Sequence, residues 1–214
     1  MSTTINRHLD AATLMSFAAG TLTESLAAVA AAHLAMCPHC RDELADMELM
    51  GACLMGGGKP QGAARVAVPA FPVSMPAART SLERPADRLP APIAQHYGLS
   101  FDRIPWRRLG PGIWHHRLPL AAGATGDLRL LRITAGRRMP EHGHGGTELT
   151  LVLDGAFDDA TGHYGRGDVQ DVDEETEHIP IADRDAGCIC LVASEQPARF
   201  KGIVSRLLQP LTGM

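Results

Sequence analysis

His33-Leu34-Ala35-Met36-Cys37-Pro38-His39-Cys40 reads His-x3-Cys-x2-Cys, and the rest of the chain takes its place around it. On a helix, His33 and Cys37 lie one turn apart on the same face, and Cys40 follows across a turn containing Pro38. Three soft donors therefore converge on one point. A structural Zn²⁺ takes four N or S ligands in a closed tetrahedron, and the candidate for the fourth is His8. Two thiolates balance the charge of the cation, which leaves a neutral unit that is cheap to bury. His39, between the two thiols, has the wrong phase and is expected on the surface.

Helix signals surround this stretch. Asp10 is placed to cap a helix over residues 11–19 that stops at Gly20, with Leu14, Phe17 and Ala18 on one face. Thr21-x-x-Glu24 reads as a capping box opening a second helix, which delivers His33 near its end. Pro38 suits the first turn of a third helix, which carries Leu44, Met47, Gly51 and Leu54 on one stripe and ends at Gly56-Gly57-Gly58. Cys53 falls within its apolar stretch and is expected in the core. One zinc pinning three small helices makes physical sense, because aromatic residues are only 4% of the chain and little large side-chain mass is available to bury.

The 214 residues and 45% hydrophobic content suit two small globular units. No stretch reaches the roughly 18 apolar residues of a membrane span, and the opening residues lack a signal peptide's apolar run. Five cysteines, two of them in a metal motif, point to a reducing compartment, so a cytoplasmic location is expected. Residues 1–58 hold Arg7 and Arg41 against Asp10, Glu24, Asp42, Glu43, Asp46 and Glu48, which accounts for the whole net charge of -4. An acidic unit of this kind is a poor nucleic-acid binder and suits a basic protein surface.

From Lys59 to Pro92, prolines recur and block regular structure, so 59–92 reads as a linker, within which 76–84 has room for two helical turns. The alternative boundary extends the helical unit to about residue 84. Residues 93–214 then show short strand-like runs at 114–118, 128–134, 149–153, 169–172, 188–193 and 199–204, the pattern of a small barrel or jelly roll. The fold class is therefore α + β in two domains: a zinc-stapled helical bundle over 1–58 and a β-barrel over 93–214.

Inside the β-rich part stands Gly136-x5-His142-x-His144-x3-Glu148-x6-Gly155, which resembles the first motif of the cupin barrels at every defined position. His142 and His144 are two apart on an extended segment and project from one face, and Glu148 begins the next strand. A second cupin motif supplies one more histidine after a glycine turn, and Gly167 followed by His178 fits that role. Asp173 and Glu175 stand where the usual proline and glycine would be. Three imidazoles and a carboxylate suit Zn, Mn, Fe, Ni or Cu. Cys188 and Cys190 alternate along a strand, so their sulfurs share a face. His96, His115, His116 and His163 have no ligand spacing. The acids at 168, 171, 173, 174, 175 and 177 read as a solvated turn, with a patch for a positive partner as the alternative.

His8 with His33-x3-Cys37-x2-Cys40 in a small helical N-terminal region, followed by a cupin motif, resembles the zinc-binding anti-sigma factors, and within them the ChrR branch. That resemblance implies a soluble regulator that sequesters an alternative sigma factor of the extracytoplasmic-function group in a 1:1 complex. It also implies zinc in the barrel on His142, His144, Glu148 and His178, and a cupin that senses singlet oxygen and related oxidants. The competing expectation is a metal-dependent dioxygenase of the cupin type with a relic helical domain.

Overall fold

The computed structural model describes residues 4–54 and 89–196, together with the backbone of Arg199–Phe200. Most of the expected linker, its short helix at 76–84 and the strand beyond residue 200 lie outside the described residues. Among the described residues no single helix is long and apolar enough to cross a membrane.

Three helices open the chain: α1 (Ala11–Ala19), α2 (Glu24–Met36) and α3 (Pro38–Leu54). The Asp10 side chain accepts from the Thr13 amide at 2.6 Å, and Gly20, in the left-handed region at φ 69°, ends α1. The capping box does not form. Thr23, not Thr21, is the N-cap of α2, and it makes no side-chain cap hydrogen bond. Glu24 is instead buried, with both carboxylate oxygens accepting from the Ala121 amide at 3.0 and 3.1 Å. Pro38 drives Cys37 out of helical geometry (φ -102°, ψ 108°), which makes the corner between α2 and α3. Arg41 Nη1 donates to the Leu34 carbonyl at 2.7 Å, satisfying one of the carbonyls that the end of α2 leaves open. Cys53 is exposed, not in the core, because α3 runs out over solvent with only Cys40 fully buried.

A fourth helix, α4 (Ala91–Tyr97), precedes the strands and begins in what the sequence reads as linker and strand. Pro90 and Pro92 occupy its N-cap and first turn, where a missing N–H costs nothing, and Gly98 at φ 62° closes it. A 3-10 turn follows at Phe101–Arg103.

The strands are β1 (Arg107–Gly110), β2 (Ile113–Arg117), β3 (Asp127–Ile133), β4 (His142–Gly143), β5 (Glu148–Asp159), β6 (Gly162–Gly165), β7 (Val169–Val172), β8 (Glu177–His178), β9 (Ile181–Ala182), β10 (Cys188–Ser194) and β11 (Arg199–Phe200). All pairings among them are antiparallel, in an eight-stranded sheet ordered β1-β2-β3-β10-β5-β6 with β7 and β9 also on β5. A second sheet runs β11-β4-β8.

Alternation along β3, β10 and β5 gives the central sheet two different faces. Leu128, Leu130, Leu149, Leu151, Leu153, Leu191 and Ala193 face outward and pack in one core with Leu26, Val29 and Leu34 of α2. Arg129, Leu131, Thr150, Cys190 and Val192 turn the other way, towards a cavity. Eleven of the thirteen residues of α2 are buried, so that helix is wrapped on all sides, by the sheet, α4 and the other helices. Burial of Leu26, Val29 and Leu34 stabilises this packing by about 1.5–3 kcal/mol each.

Candidate metal centres

Two clusters of donors stand out. In the first, His8, His33, Cys37 and Cys40 bring one donor atom each to within 4.8 Å of one another, with all but His8 fully buried. His33 Nε2 is 3.3 Å from Cys40 Sγ, and His8 Nδ1 is 3.3 Å from Cys37 Sγ and 3.6 Å from Cys40 Sγ. The Cys40 amide points at Cys37 Sγ across 3.5 Å, an arrangement suited to a thiolate. His39 lies outside the cluster, exposed beside Glu43, its ring tilted against that of His8.

Electrostatics agree with a cation here. Burial pushes the His33 pKa down to about 4, so its imidazole is neutral, as a ligand must be. Its Nδ1–H donates to the Gly167 carbonyl at 3.0 Å, which leaves the Nε2 lone pair facing the sulfurs. Burial pushes the Cys40 thiol up to about 12 when no cation is present, so the thiolate form needs a positive charge beside it. Two sulfurs and two imidazole nitrogens, closed off from water, are the donor set of structural zinc.

In the second cluster His142, His144, Glu148 and His178 are all buried, with donor atoms again within 4.8 Å. His142 and His178 are direct partners in the β4–β8 register, and Glu148 opens β5. His142 Nδ1–H donates to the Pro140 carbonyl at 2.9 Å, and His178 Nδ1–H donates to Asp159 Oδ2 at 2.7 Å. Both Nε2 atoms are thereby left as bare lone pairs, yet they face each other at 3.2 Å. His144 Nε2 is another 3.2 Å from His178 Nε2, and His144 Nδ1 is 3.1 Å from Glu148 Oε2. Lone pairs aimed at one point repel unless a cation sits among them, so the cluster fits a metal. Burial opposes ionisation of Glu148, but the facing histidines, His144 first, outweigh it and hold its pKa below the usual value. A cavity of about 170 Å³ lies against His142, Glu148 and His178, walled by Leu131, Met139 and Phe157.

The ChrR Cupin-like domain family matches residues 94–198, and a zinc-finger family matches residues 12–41. The chain is 38% identical to the anti-sigma-E factor ChrR of Cereibacter sphaeroides, across 97% of this chain and 98% of that protein. The chain belongs to the ChrR family of anti-sigma factors. The solved complex of Rhodobacter sphaeroides SigE with the anti-sigma ChrR matches with a TM-score of 0.70 at 37% identity, covering 89% of this chain and 99% of the other. The small helical N-terminal region and cupin-like sheet seen here are thus the fold of this family.

Within this ChrR-family chain, several residues of the two centres escape a reading of the sequence. Asp159 holds His178, and Asp159 itself accepts from the Thr161 amide (2.8 Å), Thr161 Oγ1 (2.6 Å) and Gln170 Nε2 (2.7 Å). Burial alone would raise the Asp159 pKa, but these donors, His178 foremost, hold it far below the ordinary carboxylate range. Asp168 is not part of a solvated turn. It is buried, and its Oδ1 accepts from the amides of Asn6 (2.6 Å) and Arg7 (3.0 Å), the residues that lead into His8. No spacing rule links these partners, which lie 11, 19 and more than 160 residues apart. Cys188 and Cys190 are buried with their sulfurs 3.2 Å apart, and Cys190 also lines the cavity.

Proposed function

We propose that this chain holds an alternative sigma factor of the extracytoplasmic-function group in an inactive 1:1 complex in the cytoplasm. Zinc on His8, His33, Cys37 and Cys40 stiffens the helical part. A zinc or other divalent ion on His142, His144, Glu148 and His178 equips the cupin part to sense oxidants such as singlet oxygen. The observation that carries the reading is near full-length relatedness to an anti-sigma factor whose own sigma complex has been solved. The surface agrees with it: Leu49, Met50 and Leu54 of α3 are exposed on the same side as Asp42 and Asp46, a mixed apolar and acidic face suited to a basic protein. The metal in the barrel would supply a Lewis-acidic centre at the cavity, while Asp159 and the Pro140 carbonyl orient two of the imidazoles that hold it.

Co-expression with an extracytoplasmic-function sigma factor from the same organism tests the proposal. The two proteins are expected to co-purify in equal amounts with two metal equivalents per complex. Cys37→Ser with Cys40→Ser should lose one zinc and the sigma factor together. A wild-type chain that carries both metals and still fails to retain any sigma factor would overturn the reading.

A further inference from the structure

The two clusters share one structural element. The turn between β6 and β7, Gly165 to Val169, touches the N-terminal cluster on one side, and the next residue, Gln170, reaches the cupin cluster through Asp159 on the other. On the first side the Gly167 carbonyl accepts from His33 Nδ1, Asp168 accepts from the Asn6 and Arg7 amides, and the Val169 amide donates to the Arg7 carbonyl at 3.3 Å. The segment carrying His8 and the helix carrying His33 are thus both referenced to three consecutive residues. On the second side β7 continues through Gln170, which is buried and donates to Asp159, the residue that orients His178. Gln170 Nε2 also donates to Thr161 Oγ1 at 2.8 Å, which fixes the amide's orientation.

Between these two sets of contacts the backbone has no slack. Asp168 Oδ2 accepts from the Gly165 amide at 2.8 Å and closes the turn. The Gly167 amide donates to the Val152 carbonyl (2.8 Å), and the Val152 amide donates to the Asp168 carbonyl (3.0 Å), so the turn is laced to β5. Gly167 has φ 93°, and a Cβ there would come within 2.8 Å of Ile5 Cδ1, so the chain carrying His8 runs directly over it. The carbonyl that aims His33 and the amide that steadies Asp159 belong to residues only three apart.

We infer that the Gly167–Gln170 segment is a positioning link between the two metal centres, through which occupancy of the cupin site tightens zinc binding at the N-terminal site. The inference rests on the ligand sets proposed above. A metal on His178 fixes Asp159 and Gln170, and with them the start of β7. That in turn fixes the acceptors on which His33 and the segment leading into His8 are hung. Residues outside a ligand set that orient its imidazoles change metal affinity by roughly 10–100-fold. The coupling is reciprocal, so zinc at the N-terminal site tightens the cupin metal by the same factor. Neither Gln170 nor Asp168 touches a metal in this scheme. Their part is to convey position.

The full-length chain titrated with Co²⁺ provides the test, because only the first cluster contains sulfur donors and thiolate-to-cobalt charge-transfer absorption reports it alone. In a chain otherwise unchanged, His142→Ala removes a cupin donor without touching the turn and should weaken the sulfur-site Co²⁺ affinity by about tenfold. Against a Gln170→Leu background the same His142→Ala change should have no further effect, because the link is already cut. Asp168→Ala cuts it from the other end and should also abolish the effect. A wild-type chain that binds fewer than two ions overturns the ligand sets themselves. A chain that binds two ions, with sulfur-site affinity indifferent to His142→Ala, overturns the link alone.

Discussion

Stripping zinc from the N-terminal cluster should release α3 while leaving α2 in place, because different forces hold the two helices. In α3 only Cys40 is fully buried, and Leu44 and Met47 pack half-buried against the core. Half-burial of two such side chains contributes about 1.5–3 kcal/mol. A helix of 17 residues is marginal in water without tertiary support, since ordering each backbone residue costs about 1–2 kcal/mol. The cation makes up the difference: structural zinc contributes on the order of 10–16 kcal/mol of apparent binding energy at neutral pH. Helix α2 has another anchor, since Leu26, Val29 and Leu34 against the sheet add up to about 5–9 kcal/mol that does not depend on the metal. Native-state amide hydrogen exchange on the intact chain, with and without a chelator, separates the two. In α3, and in α1 which packs on it, exchange should accelerate at least about a thousandfold, corresponding to roughly 4 kcal/mol, while the α2 amides before its last turn shift by less than about tenfold. If α3 keeps its protection after the metal is gone, the argument that zinc holds it is wrong. If α2 exchanges as fast as α3, the sheet is not what anchors it.

Three further outcomes are expected. Asp159→Asn removes the charged acceptor behind His178 and should weaken metal binding in the cupin site by about 10–100-fold in a metal titration, and an unchanged affinity would dismiss Asp159 as its orienting group. Leu191→Ala, at a fully buried position beneath α2, should cost about 2–5 kcal/mol in denaturant unfolding, whereas a cost under about 1 kcal/mol would mean that the interface between helix and sheet is loosely packed. Gly167→Ala, at a positive φ beneath Ile5, should destabilise the chain by about 1–3 kcal/mol in the same assay, and a neutral result would show that the turn relaxes freely.

The parts legible in the sequence are those in which chemistry and spacing are local. Asp10 and Gly20 fix the ends of α1, Pro38 fixes the α2–α3 corner, and strand β7 runs from Val169 to Val172 as its pattern predicts. His33 and Cys37 are one helical turn apart, and His142 and His144 are two residues apart on extended backbone, so each pair announces a shared face. Helix α4 is hidden because Pro90 and Pro92 read as linker, although proline is at home in a first turn and Gly98 supplies the matching stop. Cys53 is misplaced because an apolar helical stripe does not say whether anything lies opposite it, and nothing among the described residues covers the end of α3. Glu24 on Ala121 and Asp168 on Asn6 are contacts across 97 and 162 residues, and only the closed fold creates them.

The alternation in β5 joins the cupin cluster to the packing under α2. Glu148 faces the cluster while its neighbour Leu149 faces α2, and the same exchange of faces continues through Thr150, Leu151, Val152 and Leu153. A one-residue irregularity in the β10–β5 pairing, between Ile189 and Cys190, leaves Leu153 as the extra residue at the point where the outward leucines end. Side chains on the two faces of one strand cannot move independently, because the backbone joining them is held by hydrogen bonds to β10 on one side and β7 on the other. A displacement that pulls Glu148 towards or away from a cation must therefore tilt Leu149 and Leu151 under α2, and interiors packed at crystal-like density answer such tilts by repacking rather than by absorbing them. Since His33 lies in the last turn of α2, coupling carried by the leucines would reach the first cluster without passing through the β6–β7 turn. The two routes make opposite demands on a Gln170 substitution: it severs the turn and leaves the leucines untouched. Loss of all coupling in Gln170→Leu therefore assigns it to the turn, whereas coupling that survives in that variant overturns the turn as the link in favour of the sheet.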